Sequence, residues 1–166
     1  MSWKRSAAVL ALLLASAHPA MAQRRADTHT GFWFSAGGGA GWLEGSSGGA
    51  FYVRMGGTPT RKALFGGEVI TWFRDGGSST NIAATALLYP FYETTGAPGH
   101  DLFFRGSFGL AATDGGSTGL GLMGGTGYDL RLADNLYVTP SFDVMVQVFD
   151  QATLTTLFVT LGLGFH

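Results

Sequence analysis

The sequence predicts an all-β fold: eight antiparallel strands in up-and-down order, closed into a transmembrane β-barrel. Three observations predict it. Apolar residues alternate with small or polar ones from Gly31 to the C-terminus, the spacing of side chains on the two faces of a strand. Turn residues cut this alternation at short intervals, and no stretch shows a helical period between start and stop signals. The face opposite the oily one is built mainly of Gly, Ala and Ser with isolated charges.

The strands follow in order. Strand 1 is GFWFSAGGGAGWL, Gly31 to Leu43, and strand 2 is AFYVRMG, Ala50 to Gly56. Strand 3 runs from Ala63 to Arg74 and strand 4 from Asn81 to Phe91. Strand 4 is apolar on both faces, so alternation does not fix its register. In strand 5, Leu102 to Ala112, Phe104, Phe108 and Leu110 oppose Arg105, Ser107 and Gly109. In strand 6, Gly119 to Leu132, Leu120, Leu122, Tyr128 and Leu130 oppose Gly121, Met123, Asp129 and Arg131. In strand 7, Leu136 to Val148, Val138, Phe142, Val144 and Val146 oppose Thr139, Ser141, Asp143 and Gln147. Strand 8, Leu154 to His166, sets Leu157, Val159, Leu161, Leu163 and Phe165 against Thr156, Phe158, Thr160, Gly162 and Gly164. Each strand is long enough to cross a bilayer at a tilt. The links EGSSGG, GTPTRK, DGGSST, YETTGAPGHD, TDGGST, ADN and FDQAT are rich in turn residues, and short links between consecutive strands favour hairpins.

Two closed barrels could use this alternation. A soluble ligand carrier points its oily face inward, and a membrane barrel points it at lipid. Glycine, alanine and serine solubilise a surface poorly but suit the narrow interior of a small barrel. Aromatics on the oily face cluster near strand ends: Phe32, Phe34, Trp42, Phe73, Tyr89, Phe91 and Tyr128. That placement fits interfacial girdles, so the membrane barrel is the expectation. Closure also answers a stability question. The chain has no cysteine, so no disulfide can staple it, but a closed ladder leaves no strand edge unpaired. Pro90 and Pro140 remove ladder donors, so relaxed pairing is expected around them.

The N-terminus reads as an export signal. Lys4 and Arg5 precede the apolar run Ala7 to Ala17, which is too short for a membrane-spanning helix, and Ala20 and Ala22 occupy the small-residue cleavage positions. Residues 1–22 are therefore expected to be a signal peptide, 23–30 a polar leader and 31–166 the barrel. The formal net charge is −1, and no basic run suggests nucleic acid. Neither a metal-ligand cluster nor a phosphate loop or nucleophile elbow appears. The glycine run in strand 1 is not a dinucleotide fingerprint, because no helix follows it. Catalytic, cofactor and metal residues are accordingly expected to be absent.

Six charged residues fall on inward positions: Arg54, Glu68, Arg105, Asp129, Arg131 and Asp143. Strand position puts Arg54, Arg105, Asp129 and Arg131 toward one end and Glu68 and Asp143 nearer the middle. Buried charges must pair or be hydrated. The expectation is an ion-pair network that fills the barrel, against a narrow ion path as the alternative.

The first strand GFWFSAGGGAGW, the central LFFRGSFGLA and the C-terminal TLGLGFH resemble the small outer-membrane β-barrel family, which includes the transmembrane domain of outer-membrane protein A. The resemblance covers Gly31 to His166. It implies a bacterial outer-membrane location, both termini in the periplasm and strand 1 running outward. Residues 43–49, 75–80, 113–118 and 149–153 would then be outer loops, too short for an adhesin or phage receptor. The longest link, Tyr92 to Asp101, would be periplasmic. The expected partners are outer-membrane lipid, lipopolysaccharide and, during biogenesis, the barrel-assembly machinery. Leu161, Leu163 and Phe165 resemble the C-terminal signal that this machinery reads, with His166 following the aromatic residue as a departure. Enzymes of this architecture act on lipid A with a His, a Ser and an acid. Here His29 lies in the leader, His100 in a periplasmic turn and His166 at the last position, none near the outer leaflet. The expected function is non-enzymatic, in envelope integrity or surface interaction. A lipid A-modifying or transport barrel and a secreted carrier of an apolar ligand are the alternatives. Oligomeric state is not encoded legibly.

Overall fold

The computed structural model describes residues 31–60, 62–92, 100–133 and 135–165. The expected signal peptide and leader, and His166, lie outside the described residues. Eight strands close into one barrel in the order β1 to β8, each antiparallel to its neighbours. They are β1 Gly31–Leu43, β2 Ser46–Thr60, β3 Ala63–Arg74, β4 Gly77–Leu88, β5 His100–Thr113, β6 Thr118–Ala133, β7 Leu136–Phe149 and β8 Thr153–Phe165. The β1–β8 ladder runs from Phe34↔Phe165 to Leu43↔Thr156 and closes the barrel.

Two elements differ from expectation. β2 begins at Ser46 rather than Ala50, so most of the glycine–serine link belongs to the ladder, with Gly48 paired to Gly41 and Ser47 to Trp42. β4 begins at Gly77 and stops at Leu88, two residues before Pro90. The sequence suggested loops because Gly and Ser favour turns. They extend as strand here because the neighbouring chain offers a complete set of backbone partners.

At one end, the hairpin end, the strands are joined by tight connections at 44–45, 75–76, 114–117 and 150–152. Glu44 and Gly45 both have positive φ, 48° and 80°, as a two-residue turn matched to strand twist requires. Glu44 also holds the seam. Its amide donates to the Thr155 carbonyl at 3.4 Å, and its Oε1 accepts from the Thr155 amide at 3.0 Å. At the other end, the terminal end, lie the start of β1, the end of β8, the end of β4 and the start of β5.

The pairing relaxes beside proline. Opposite Pro140, β6–β7 pairing skips Tyr128 and Asp129 and resumes in the same register at Leu130↔Val138. A register shift between Gly57 and Thr60 brackets Pro59.

The two faces separate as the alternation predicts. Leu110 (68% exposed), Phe32 (61%), Leu122 (61%) and Leu161 (59%) point outward, as do Phe34, Trp42, Phe73, Phe91, Phe104, Phe108 and Tyr128. Arg54, Glu68, Arg105, Asp129 and Asp143 are buried inside. This is the reverse of a soluble carrier barrel. One aromatic departs from expectation: Tyr89 is not part of the outer girdle but is buried inside. In β4 the inward residues are Ser79, Asn81, Ala83, Thr85 and Leu87, and Tyr89 continues that parity.

Close approach explains several inward glycines. A Cβ on Gly125 would run into the Asp143 carboxylate, and one on Gly37 would meet the Tyr52 ring and the Gly162 backbone. Gly125 pairs directly with Asp143, and Gly37 with Tyr52. The glycines are the holes into which neighbouring strands turn their large inward side chains.

Candidate functional site

Among the described residues, buried polar side chains gather in the interior of the barrel. Arg54 on β2, Glu68 on β3, Arg105 on β5 and Asp143 on β7 form an alternating ring across the barrel. Arg54 Nε donates to Glu68 Oε2 at 3.0 Å. Arg105 Nη1 lies 3.5 Å from the same oxygen. Arg105 Nη2 is 2.5 Å from Asp143 Oδ1 and Arg54 Nη2 is 3.8 Å from Asp143 Oδ2. The last two are charge contacts rather than aligned hydrogen bonds. Each cation thus faces both anions, and all four side chains are essentially sealed from solvent. The two arginines and two carboxylates balance, so the ring buries no net formal charge.

Arg54 and Glu68 stand in direct register, so they share one level of the barrel. This corrects the expected separation of Arg54 and Arg105 from the two carboxylates. The expectation rested on shorter strands: β2 runs from Ser46 to Thr60 and β5 from His100 to Thr113, which puts Arg54 and Arg105 near the middle of their strands. Two further contacts hold the guanidinium arms. The Arg54 guanidinium lies 3.8 Å from the Tyr52 ring centroid, and Arg105 Nη2 meets Met123 Sδ at 3.5 Å.

Apolar packing flanks the ring on both sides. Toward the hairpin end Tyr52, Ile70, Trp72, Met123, Met145 and Phe158 pack together. Toward the terminal end Trp33, Leu64, Leu87, Tyr89 and Phe103 form a second cluster. The charged layer is therefore closed above and below by side chains. Polar pairs tie the hairpin end across the barrel: Ser79 Oγ donates to Gln147 Oε1 at 2.5 Å, and Gln147 Nε2 donates to the Thr80 carbonyl at 3.3 Å.

The remaining expected charges lie apart from the ring. Asp129 accepts from Tyr89 Oη at 2.8 Å and from Thr139 Oγ1 at 2.5 Å. Arg131 is half-buried at the terminal end, its Nε donating to the Ala133 carbonyl at 3.2 Å. Leu161, Leu163 and Phe165 face outward on β8. His100 is the first residue of β5 rather than part of a turn, and His29 and His166 lie outside the described residues. Among the described residues no group of His, Cys, Asp and Glu is arranged to hold a metal ion. Sequence reasoning missed Tyr89 and Tyr52 as interior partners of the charges. The parity of β4 was their only available signal in the first case, and an apolar strand hides it.

No protein-family model matches the chain, and no curated protein matches it. Solved structures do. Neisserial surface protein A superposes with a TM-score of 0.69 at 15% identity, over 82% of this chain and 97% of that one. The N-terminal β-barrel domain of Pseudomonas aeruginosa OprF gives 0.55 at 15% identity, over 82% and 97%. The outer membrane enzyme PagL gives 0.51 at 13% identity, over 81% and 99%. The chain has the fold of the small eight-stranded outer-membrane β-barrels.

Proposed function

We propose that this chain is a non-enzymatic bacterial outer-membrane barrel with a closed interior, contributing to envelope integrity or to interactions at the membrane surface. Its medium is outer-membrane lipid and lipopolysaccharide. Both termini lie in the periplasm after export on the N-terminal signal, and Leu161, Leu163 and Phe165 present the strand that the barrel-assembly machinery reads. One observation carries the reading: an apolar outer belt surrounds an ion-pair ring sealed by packed side chains on both sides. Such a belt is soluble only in lipid, and the packed side chains on either side of the ring favour a closed interior over a conducting one. The likeness to PagL, at 13% identity, is one of fold. No cofactor is assigned.

Membrane fractionation tests the location: the protein stays in the pellet after carbonate or urea washing, and release into the soluble fraction would overturn the proposal. Planar-bilayer recording tests the closed interior. No steady conductance is expected, and a conductance abolished by Arg105→Ala would replace the plug with an ion path. An altered lipid A mass on overexpression would establish the enzymatic alternative.

A further inference from the structure

Tyr89 lies just beyond the end of β4, yet it is as buried as the core of the barrel. Pro90 follows it, supplies no amide hydrogen and ends the strand. The chain then turns, with the Tyr92 amide 3.4 Å from the Tyr89 carbonyl, while the Tyr89 amide donates to the Lys62 carbonyl at 2.8 Å. Tyr92 packs, partly buried, on the terminal-end cluster. The Tyr89 ring sits 5.5 Å from that of Phe103, and its hydroxyl crosses to Asp129 on β6. Behind it is a small chamber of about 10 Å³, room for about one water. Ser35, Arg54, Phe103, Asp129 and Thr139 line it together with Tyr89, so it lies between the charged ring and the terminal end.

We propose that the corner Tyr89–Tyr92 is a latched plug in the terminal mouth of the barrel, with the Tyr89–Asp129 hydrogen bond as its latch. β4 ends at Leu88, before this corner, so displacing the Tyr89 side chain uncovers the chamber without breaking a strand pair. The plug closes a polar chamber: Arg54 and Asp129 face it with opposite charge, and only a water-sized occupant fits while the latch holds. The ion-pair ring lies on the far side, so an open plug admits solvent to the chamber and still leaves the barrel non-conducting. The plug does not depend on the membrane reading, because it can be tested in detergent.

The cysteine-free sequence supplies the test. Ser35→Cys places a thiol in the chamber, and its reaction with a small charged methanethiosulfonate reagent reports access. The expected result is a thiol that is nearly inert in Ser35→Cys alone. In Ser35→Cys/Tyr89→Phe, which keeps the ring and loses the latch, labelling should be about tenfold faster, the factor for one hydrogen bond to a carboxylate. In Ser35→Cys/Tyr89→Ala it should be faster still. Heat-dependent gel mobility checks that each variant is folded. A thiol already reactive in Ser35→Cys alone overturns the plug. Unchanged labelling in the folded Tyr89→Phe variant overturns the latch, even if the alanine variant does not fold.

Discussion

Arg105 stands between two buried carboxylates, Glu68 and Asp143. Truncating it leaves Glu68 and Asp143 facing a single cation, Arg54, inside a closed barrel. Breaking a buried ion pair in this way costs about 3–5 kcal/mol, because an uncompensated charge remains. Arg105→Ala should therefore lower the unfolding free energy by about that amount, read from urea titration of tryptophan fluorescence in lipid vesicles. A loss below about 1 kcal/mol would mean that the ring behaves as a hydrated surface pair. Replacing the whole ring by Met and Leu should cost far less than Arg105→Ala alone, since apolar substitutes leave no orphaned charge. Parity along a strand assigns Arg54, Glu68, Arg105, Asp129 and Asp143 to the face that is buried, while Arg131, near the end of β6, is only half-buried. Parity did not show which charges meet. Arg54 and Glu68 are register neighbours, but Arg105 and Asp143 join them across the barrel axis, a distance that no spacing within a strand encodes. Tyr89 was misread for a related reason: β4 offers Ala and Leu on both faces, so its two parities look alike.

Among the elements, β2 and β4 show where strand signals fail. Ser46 to Gly49 carry the residues of a turn and yet pair with β1 up to Leu43. The controlling fact is a two-residue turn at Glu44–Gly45, which leaves Ser46 already opposite Leu43. The sequence offered Glu-Gly-Ser-Ser-Gly-Gly, and any adjacent pair in it could have turned. β5, β6 and β7 were legible almost to their ends because each has one face of large apolar residues and one of small or charged ones. β8 carries the clearest alternation and also the most specific prediction. It closes the barrel through ten ladder positions from Leu43↔Thr156 to Phe34↔Phe165, and its last residues bear the proposed assembly signal. Deleting Gly164–His166 removes the Phe34↔Phe165 and Ser35↔Gly164 pairs and should reduce the inserted, heat-modifiable fraction in cells severalfold. Normal insertion of the truncated chain would remove the assembly role from this strand.

At the scale of the whole molecule, stability comes from closure rather than from a buried apolar core of the soluble kind. Every strand finds a partner on both sides, including β1 with β8, so a cysteine-free chain needs no covalent staple in a solvent that cannot hydrogen-bond its backbone. The interior is filled by side chains that meet across the axis, and inward glycines make room for them. These features are legible in sequence as composition, but the glycine positions acquire meaning only when the partner strand is known. Gly125 is a hole because Asp143 lies beside it.

The succession of strands around the wall has the topology of a ring that has been cut once. Phe34 lies beside Phe165, so a short linker could rejoin the cut, and a new one could be made at Asp75–Gly76 in a tight turn. The resulting permuted chain would contain the same eight ladders and the same interior. It should refold in detergent micelles with the mobility of the original barrel, as circular permutants cut at exposed turns do. In cells the two should part company, because the permuted chain no longer finishes on β8. Refolding in micelles together with failure to assemble in cells would show that the order of the chain serves a reader outside the barrel, while the barrel itself is indifferent to where its polymer begins.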